Sequence, residues 1–293
     1  MKPIVPISLA FCLGSASPVI GAVVTQSVSQ GANVSGWNLA SIWDDTLAPS
    51  SGNTYVNPAA MVLRTPEASN ATFAGESLTI RGILALKSPG NASRSKSANV
   101  ILDGGTISNY TAGGGFTQTL GGTLQVLSTS TISGGGGSEI RHNQFTALVS
   151  GSANLNLNSV TAGSANIFAN ASNTFSGTWN LQSGILRFTN GGAVGSGLIA
   201  MSGGALEIQD NWTGNSLSLT AGSVALADYQ WTVQSLTVGS TSLGQGTYDI
   251  AALTNIGGVT FSGAAGTITM IPQPSVMMSL FAGAFPLLLR RRR

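Results

Sequence analysis

Apolar and polar residues alternate in short runs along most of the chain, and a glycine-containing turn introduces each run. Clear examples are GGTISNY from Gly104, GGTLQVL from Gly121, SGILRFT from Ser183, GGALEIQ from Gly203 and AGSVALA from Ala221. Alternation with a period of two is typical of strands that bury one face, and paired small residues are typical of the turns between strands. The pattern therefore predicts an all-β protein built from many short strands.

The turns also recur at a regular spacing. Their second residues are 17 positions apart from Gly105 to Gly122, 20 apart from Gly184 to Gly204 and 18 apart from Gly204 to Gly222. A period of this size is typical of one coil of a solenoid, and so short a unit has too little apolar surface to close a core alone. We therefore predict a single right-handed parallel β-helix. A β-sandwich is the alternative, because paired glycines also form hairpin turns.

One stretch is close to a known repeat. Residues 175–208, FSGTWNLQSGILRFTNGGAVGSGLIAMSGGALEI, resemble the autotransporter-associated β-strand repeat. They keep its NGGALGSG turn as NGGAVGSG and its second strand, GGTLxI, as GGALEI. The resemblance implies an exported β-helix and implies no particular activity.

The beginning of the chain has the features of a secretory signal peptide. Lys2 precedes the apolar run IVPISLAFCLG, and small residues follow in VIGA. We therefore predict a signal helix at 1–22 that is removed on export. The only cysteine, Cys12, lies inside it. Without the signal the chain has no cysteine, so disulfides, a thiolate nucleophile and cysteine-based metal sites are excluded.

The next segment, 23–70, is richer in Trp and Pro and lacks the repeat. A solenoid needs a cap on its first coil, because an unpaired strand edge promotes aggregation. We predict that 23–70 is this cap, that Trp37 and Trp43 are its apolar cover, and that the β-helix body follows at 71–270. The residues predicted to cover the last coil are Tyr248 and Phe261.

The last segment, 271–293, has three parts in a fixed order. A Pro-Gln-Pro-Ser stretch precedes fourteen mostly apolar residues at 276–289, and four arginines end the chain. As a helix, fourteen residues extend about 21 Å, which is short of the ~30 Å hydrocarbon core of a bilayer. We predict a short hydrophobic helix that anchors weakly in the membrane, with its arginines on the cytoplasmic side.

This order resembles the PEP-CTERM sorting signal, with Gln273 at the position where a glutamate normally stands. The resemblance implies processing by an exosortase-type enzyme after transient anchoring in the inner membrane. It also implies delivery to the cell surface or extracellular matrix of a Gram-negative-type bacterium. The sorting-signal residues that it implies are Pro272, Gln273, Pro274, Ser275, Arg290, Arg291, Arg292 and Arg293.

Charge restricts the possible partners. Only 8% of the residues are charged, against ~25% in an ordinary globular protein. Without the signal peptide and the terminal arginines, seven basic residues face ten acidic ones, a formal charge of −3. Nucleic acid is therefore not an expected partner, because it requires a basic patch. A surface of hydroxyls and amides instead matches the hydrogen bonding of an extracellular polysaccharide.

Candidate catalytic residues are few. A carbohydrate-active enzyme on a β-helix needs paired carboxylates, or a carboxylate set with Lys or Arg, that project from neighbouring coils. Asp44 and Asp45 are adjacent, but consecutive strand residues face opposite sides, and in a turn such residues bond the backbone. His142 is the only histidine, which supports neither a metal cluster nor a triad. The other acidic residues considered, each at an ordinary solvated position, are Asp103, Glu207 and Asp210.

We therefore predict no catalytic, cofactor-binding or metal-binding residues. The leading hypothesis is an exported, non-enzymatic structural or adhesive protein of the cell surface or extracellular matrix. The alternative is a carbohydrate-active enzyme or a glycan-binding protein on the same fold.

Overall fold

A computed structural model of the protein describes residues 21–31, 36–90, 92–110, 115–134 and 139–271. The predicted signal helix up to residue 20 and the predicted sorting signal and hydrophobic helix at 272–293 lie outside the described residues. The protein is nearly all β, with 51% strand and 5% helix, which confirms the predicted fold class. No helix within the described ranges is long and apolar enough to cross a membrane.

Twenty-five strands, most of them short, alternate with turns in the part of the chain that the structure describes. In order they are β1 (Val23–Thr25), β2 (Thr54–Asn57), β3 (Val62–Arg64), β4 (Ala71–Thr72), β5 (Ser77–Ile80), β6 (Ile83–Leu86), β7 (Arg94–Asp103), β8 (Thr106–Asn109), β9 (Phe116–Ser128), β10 (Ser130–Ser133), β11 (Arg141–Phe145), β12 (Leu148–Gly151), β13 (Leu155–Asn158), β14 (Ala165–Phe168), β15 (Thr178–Leu181), β16 (Ile185–Phe188), β17 (Leu198–Met201), β18 (Ala205–Ile208), β19 (Trp212–Leu219), β20 (Gly222–Ala225), β21 (Gln230–Val238), β22 (Thr241–Ser242), β23 (Gly246–Asp249), β24 (Val259–Ser262) and β25 (Thr267–Met270). The helical elements are 3-10 turns at Ala40–Ile42 and Gly191–Val194 and one α-helix, α1, at Ile250–Thr254.

The strands form two sheets that run side by side. Sheet 1 has the order β1-β2-β5-β7-β9-β11-β14-β16-β18-β20-β24, with β4 also on β7 and β12 also on β9. Sheet 2 has the order β23-β25-β21-β19-β17-β15-β13-β10-β8-β6-β3, with β22 on β21. Every strand pair is parallel except β21 with β22 and β23 with β25. Stacked parallel coils of this kind form a β-solenoid; the predicted β-helix is confirmed and the β-sandwich alternative is wrong.

In the repeat region, the coil length agrees with the spacing of the glycines. Ile185 of β16 is in register with Ala205 of β18, and Ala205 is in register with Ser223 of β20. The preceding turn residues, Gly184 and Gly204, therefore mark the same point on successive coils. Here one coil contributes one strand to each sheet.

The spacing between Gly105 and Gly122, in contrast, does not represent one coil. The carbonyl of Gly105 accepts a hydrogen bond from the N–H of Thr131 in sheet 2, whereas Gly122 lies opposite Ala98 in sheet 1. The coil between Ala98 and Gly122 is longer than the coils of the repeat region. It is longer because the strands β7 and β9 bend and run along two faces of the solenoid. The same glycine motif thus introduces a strand at one place and bends a strand at the other.

An aromatic column fills the centre of the solenoid. Phe145, Phe168 and Phe188 occupy equivalent positions on β11, β14 and β16. The rings of Phe145 and Phe168 are stacked with centroids 4.8 Å apart, and those of Phe168 and Phe188 are 5.7 Å apart. Trp179 of sheet 2 packs edge-on against Phe168 at 4.6 Å. Parallel in-register pairing places like side chains above one another, so alternation along each strand becomes a continuous core.

A second aromatic cluster closes the N-terminal end. Trp37 and Trp43 are fully buried; Trp37 contacts Phe73 at 5.4 Å and Trp43 contacts Tyr55 at 4.9 Å between ring centroids. Strands β1 to β3 already belong to the sheets. The segment 23–70 therefore supplies the first strands of the solenoid as well as its apolar cover.

The C-terminal end is closed by a reversal of the chain. Strand β23 runs antiparallel to β25 and is the last strand of sheet 2. Helix α1 lies against β24, the last strand of sheet 1, and its Leu253 is fully buried. Tyr248 is partly buried against the core and Phe261 is buried. Both sheets thus end beneath elements that do not continue the coil.

Candidate functional site

The adjacent acidic residues Asp44 and Asp45 bond to the backbone at the N-terminal end. Asp44 Oδ1 accepts a hydrogen bond from the N–H of Thr25 at 3.0 Å, and the N–H of Asp44 donates to the carbonyl of Thr25 at 2.9 Å. Asp45 Oδ1 accepts from the N–H of Leu47 at 3.0 Å. Asp44 therefore occupies the outer edge of β1, and Asp45 stabilises the turn that follows.

Two other acidic residues form ion pairs between neighbouring coils. Asp103 Oδ2 accepts from Arg81 Nε at 2.9 Å, and its Oδ1 accepts from Ser128 Oγ at 2.9 Å. The hydrogen bonds from Arg81 and then Ser128 lower the pKa of Asp103. Glu207 pairs with Arg187 at 2.5 Å. Each carboxylate is paired with an arginine of the preceding coil. The two ion pairs lie on different parts of the solenoid.

Asp210 and His142 also bond to the backbone. Asp210 Oδ2 accepts from the N–H of Gly191 at 3.1 Å. The Nδ1 atom of His142 accepts from the N–H of Ala165 at 3.1 Å, which links β11 to β14. Burial, and then the positive charge of Arg187, lower the pKa of His142. The neutral ring that this favours is the form that accepts the bond from the backbone.

The predicted chemistry residues are therefore not brought together. Asp44, Asp103, Glu207 and Asp210 each bond to a different partner; Glu207 and Asp210 lie on the same coil, and the other two lie on other coils. Within the described residues, no three His, Cys, Asp or Glu side chains are grouped so that they could hold a metal ion. The eight predicted sorting-signal residues lie outside the described residues.

Charge is divided unequally between the two sheets. The strands of sheet 2 from β6 to β22 contain no Asp, Glu, Lys or Arg. The charged residues on the strands of sheet 1 are Arg94, Lys96, Asp103, Arg141, Arg187 and Glu207. The outer surface of sheet 2 from β6 to β22 is therefore an uncharged face, composed mainly of Thr, Ser, Asn and Gln.

Many polar side chains of this uncharged face bond to the coil next to them. Asn180 Nδ2 donates to Asn156 Oδ1 at 3.1 Å, and Ser235 Oγ donates to Ser216 Oγ at 2.8 Å. Thr220 Oγ1 donates to a carbonyl of the preceding coil at 3.0 Å. These side chains use their hydrogen-bonding capacity within the solenoid and reinforce the pairing of the coils.

A groove of about 510 Å³ lies on the outer surface of sheet 1. It forms where β4 pairs with the first half of β7 and where β11 and β12 pair with the two halves of β9. We call it the hydroxyl groove, and it is lined by Asn70, Ala71, Thr72, Ser95, Lys96, Ser97, Thr119, Gly121 and Thr146. Its volume is within the ~300–1,000 Å³ that is usual for ligand sites, and most of its lining residues are of polar types.

Most of the hydroxyls that line this groove have no partner within the described residues. Thr119 Oγ1 makes a long bond of 3.4 Å to Gln144. The hydroxyls of Thr72, Ser95, Ser97 and Thr146 make no hydrogen bond to any residue in the described ranges. These four groups can each donate and accept. The groove therefore offers hydrogen-bonding capacity that the fold does not use.

Lys96 lines the groove but has its own partner. Its side chain is 2% exposed, and its Nζ donates to the carbonyl of Ser69. Burial, and then the nearby charge of Arg94, lower the pKa of Lys96 to about 8. The neighbouring Asn70 Oδ1 accepts from the N–H of Ser95 at 2.9 Å. Lys96 and Asn70 thus fix the rim of the groove at residues 69–70.

The bend beside the groove requires glycine. Gly122 has a φ of +92°, and a Cβ atom there would lie 2.3 Å from the carbonyl oxygen of Ala98. Few residues other than glycine adopt such a φ, and that distance excludes a side chain. Gly122 therefore lets β9 turn close against the preceding coil, which creates the concave surface.

Sequence reasoning did not identify the groove. Thr72 on β4 is the register partner of Ser97 on β7. The two residues lie side by side only because one coil of this region separates them. Gly121 faces Ser97 in the same way on the following coil. A signal for the groove exists in the sequence as Ser and Thr at matching positions, but it can be seen only when the length of each coil is known.

No protein-family model matches the chain, and no curated protein or solved structure matches it either. The resemblances to the autotransporter-associated repeat and to the PEP-CTERM signal therefore depend on the residues quoted above.

Proposed function

We propose that the protein is an exported, non-enzymatic structural or adhesive element of the bacterial cell surface or extracellular matrix. The observation that carries this proposal is the uncharged face, on which polar side chains bond from coil to coil. Such bonding supports an extended scaffold, because each coil is stabilised mainly by its neighbours. A surface with few charges also matches a partner that is itself neutral and rich in hydroxyls.

The distribution of carboxylates supports a non-enzymatic role. Glycoside hydrolysis needs two carboxyl groups that flank one bond. Asp103 and Glu207 are instead paired with Arg81 and Arg187, and Asp44 is bonded to the backbone of β1. Among the alternatives, a glycan-binding role is favoured by the unbonded hydroxyls of the hydroxyl groove.

Delivery is proposed to depend on both ends of the chain. The signal peptide at 1–22 directs export, and the segment 271–293 is held in the inner membrane until an exosortase-type enzyme cleaves near Pro272 and Pro274. The bacterial surface or its surrounding polysaccharide then receives the protein. The proposed membrane contact of the mature chain is therefore transient.

Cell fractionation combined with intact mass tests this proposal. We expect a secreted or surface-bound product that lacks residues 1–22 and the apolar tail. Replacing Arg290 to Arg293 by glutamine should leave a longer, unprocessed form in the membrane fraction, whereas Gln273→Glu should be processed at least as well as the native chain. A full-length chain that stays in the cytoplasm would refute export.

A further inference from the structure

We propose that the hydroxyl groove binds a single chain of a neutral polysaccharide. This inference deepens the proposed adhesive function and rests on it, because it names the surface through which the solenoid would contact its matrix. The site lies on sheet 1, between residues 70 and 146. Its lining residues precede the repeat at 175–208 in the sequence.

The first argument is the hydrogen-bonding capacity of the groove. Ser97 and Thr146 face it from the coils on either side of Gly121, with hydroxyls that bond to no described residue. Hydroxyls that both donate and accept match the hydroxyls of a sugar. The groove thus gathers, on one concave surface, hydroxyls that the fold leaves available to a ligand.

The second argument is charge. No Asp or Glu lines the groove, and its only cation, Lys96, is buried with its Nζ bonded to Ser69. A charged sugar would therefore have no ionic partner there. The ligand class that fits is an uncharged glycan.

The third argument is shape. No aromatic residue lines the groove, so the ligand would bind through hydrogen bonds along its edge and not by stacking on a ring. Ser97, Gly121 and the adjoining Thr146 lie on three successive coils, which at ~4.8 Å per step extend about 10 Å. This length is comparable to a disaccharide unit. Gly121 contributes no side chain, so the middle of the groove stays open.

Affinity electrophoresis of the purified full chain in mild detergent tests the site. The gels contain dextran, xyloglucan or galactomannan as neutral probes and alginate as an anionic probe. The test variant is Ser97→Ala with Thr146→Ala. The matched control is Ser218→Ala with Thr237→Ala, which removes one serine and one threonine hydroxyl from the uncharged face. Thr72→Ala on the two-residue strand β4 is a second test variant, and circular dichroism checks the fold of each protein.

We expect at least one neutral polysaccharide to retard the native chain. The double groove variant should bind at least about fivefold more weakly, because each lost hydrogen bond reduces affinity by about two- to tenfold. Thr72→Ala should weaken binding by about twofold or more, and the control should bind like the native chain. Retardation by no neutral probe, retardation by alginate alone, or an equal loss in the control would overturn the proposal.

This experiment is independent of export. It uses purified protein, so a chain that binds glycan but stays in the cytoplasm would keep the site and refute the proposed delivery. A chain that is exported and processed but binds none of the three neutral probes would refute the site and leave the structural role intact.

Discussion

Phe168 is at the centre of the aromatic column, and its truncation tests whether stacked side chains hold the coils together. It is fully buried and contacts Phe145 at 4.8 Å, Trp179 at 4.6 Å and Phe188 at 5.7 Å between ring centroids. Phe168→Ala therefore leaves a cavity surrounded by three rings that come from both sheets.

The expected cost follows from packing. Truncation of a buried phenylalanine to alanine destabilises a protein by about 3–5 kcal/mol. Aromatic pairs add about 0.5–1.5 kcal/mol each beyond the buried area. Because Phe168 loses three such contacts, we expect a loss near the upper end, about 5 kcal/mol. Phe261→Ala is the matched control, since Phe261 is also buried but makes no ring contact with a described aromatic residue; its expected loss is about 3 kcal/mol.

Urea denaturation followed by tryptophan fluorescence measures both variants, and Trp179, one of the five tryptophans, contacts the altered site. The reasoning requires a larger fall in the unfolding midpoint for Phe168→Ala than for Phe261→Ala. Equal losses would show that the ring contacts add nothing. A loss below about 2 kcal/mol for Phe168→Ala would show that the column does not determine the stability of these coils.

Three further substitutions test the bend, the N-terminal edge and a buried cation. Gly122→Ala should cost about 2 kcal/mol or more, because it forces a left-handed φ and a contact with the carbonyl of Ala98; an unchanged urea midpoint would contradict this. Asp44→Ala should unpair the N–H of Thr25 at the edge of β1, cost about 1 kcal/mol and promote self-association seen by sedimentation, whereas Asp44→Asn, which keeps an acceptor, should sediment like the native chain. Native stability should rise between pH 8 and 10.5, because the folded pKa of Lys96 is about 8 and its ordinary value is 10.5, so the unfolded chain binds more protons in that interval. Lys96→Met should abolish this rise and increase the free energy of unfolding by up to about 3 kcal/mol at pH 7. If the stability of the variant depended on pH in the same way as that of the native chain, the rise would not come from Lys96.

The fold was predictable because its sequence signal is local. Alternation with a period of two identifies the strands, and in the region 175–208 the turn residues repeat at the length of a coil, so the pairing of β16 with β18 follows directly. Parallel stacking is then the arrangement that buries every apolar side. The prediction was wrong where the chain departs from this regularity, between Gly105 and Gly122, because a glycine can start a strand or bend one.

The sequence could not place the candidate site, for a physical reason. The hydroxyl groove depends on register across coils of unequal length, and on whether each hydroxyl already has a partner. Ser97 and Ser235 are both polar positions on alternating strands, yet only Ser235 bonds to the next coil. Composition makes the two residues equivalent, and only the geometry of their neighbours separates them.

The separation of these surfaces along the solenoid makes the proposals independently testable. Each coil mainly contacts the coils beside it, so a perturbation spreads mostly to nearest neighbours. The groove lies outside the core on the coils around Ser97, and the aromatic column is centred on Phe168 inside later coils. Removal of the Ser97 and Thr146 hydroxyls should therefore leave the urea unfolding midpoint, followed by tryptophan fluorescence, unchanged. Loss of glycan binding with that midpoint intact would locate binding in the groove, whereas a common loss of both would indicate that the substitutions act through the fold.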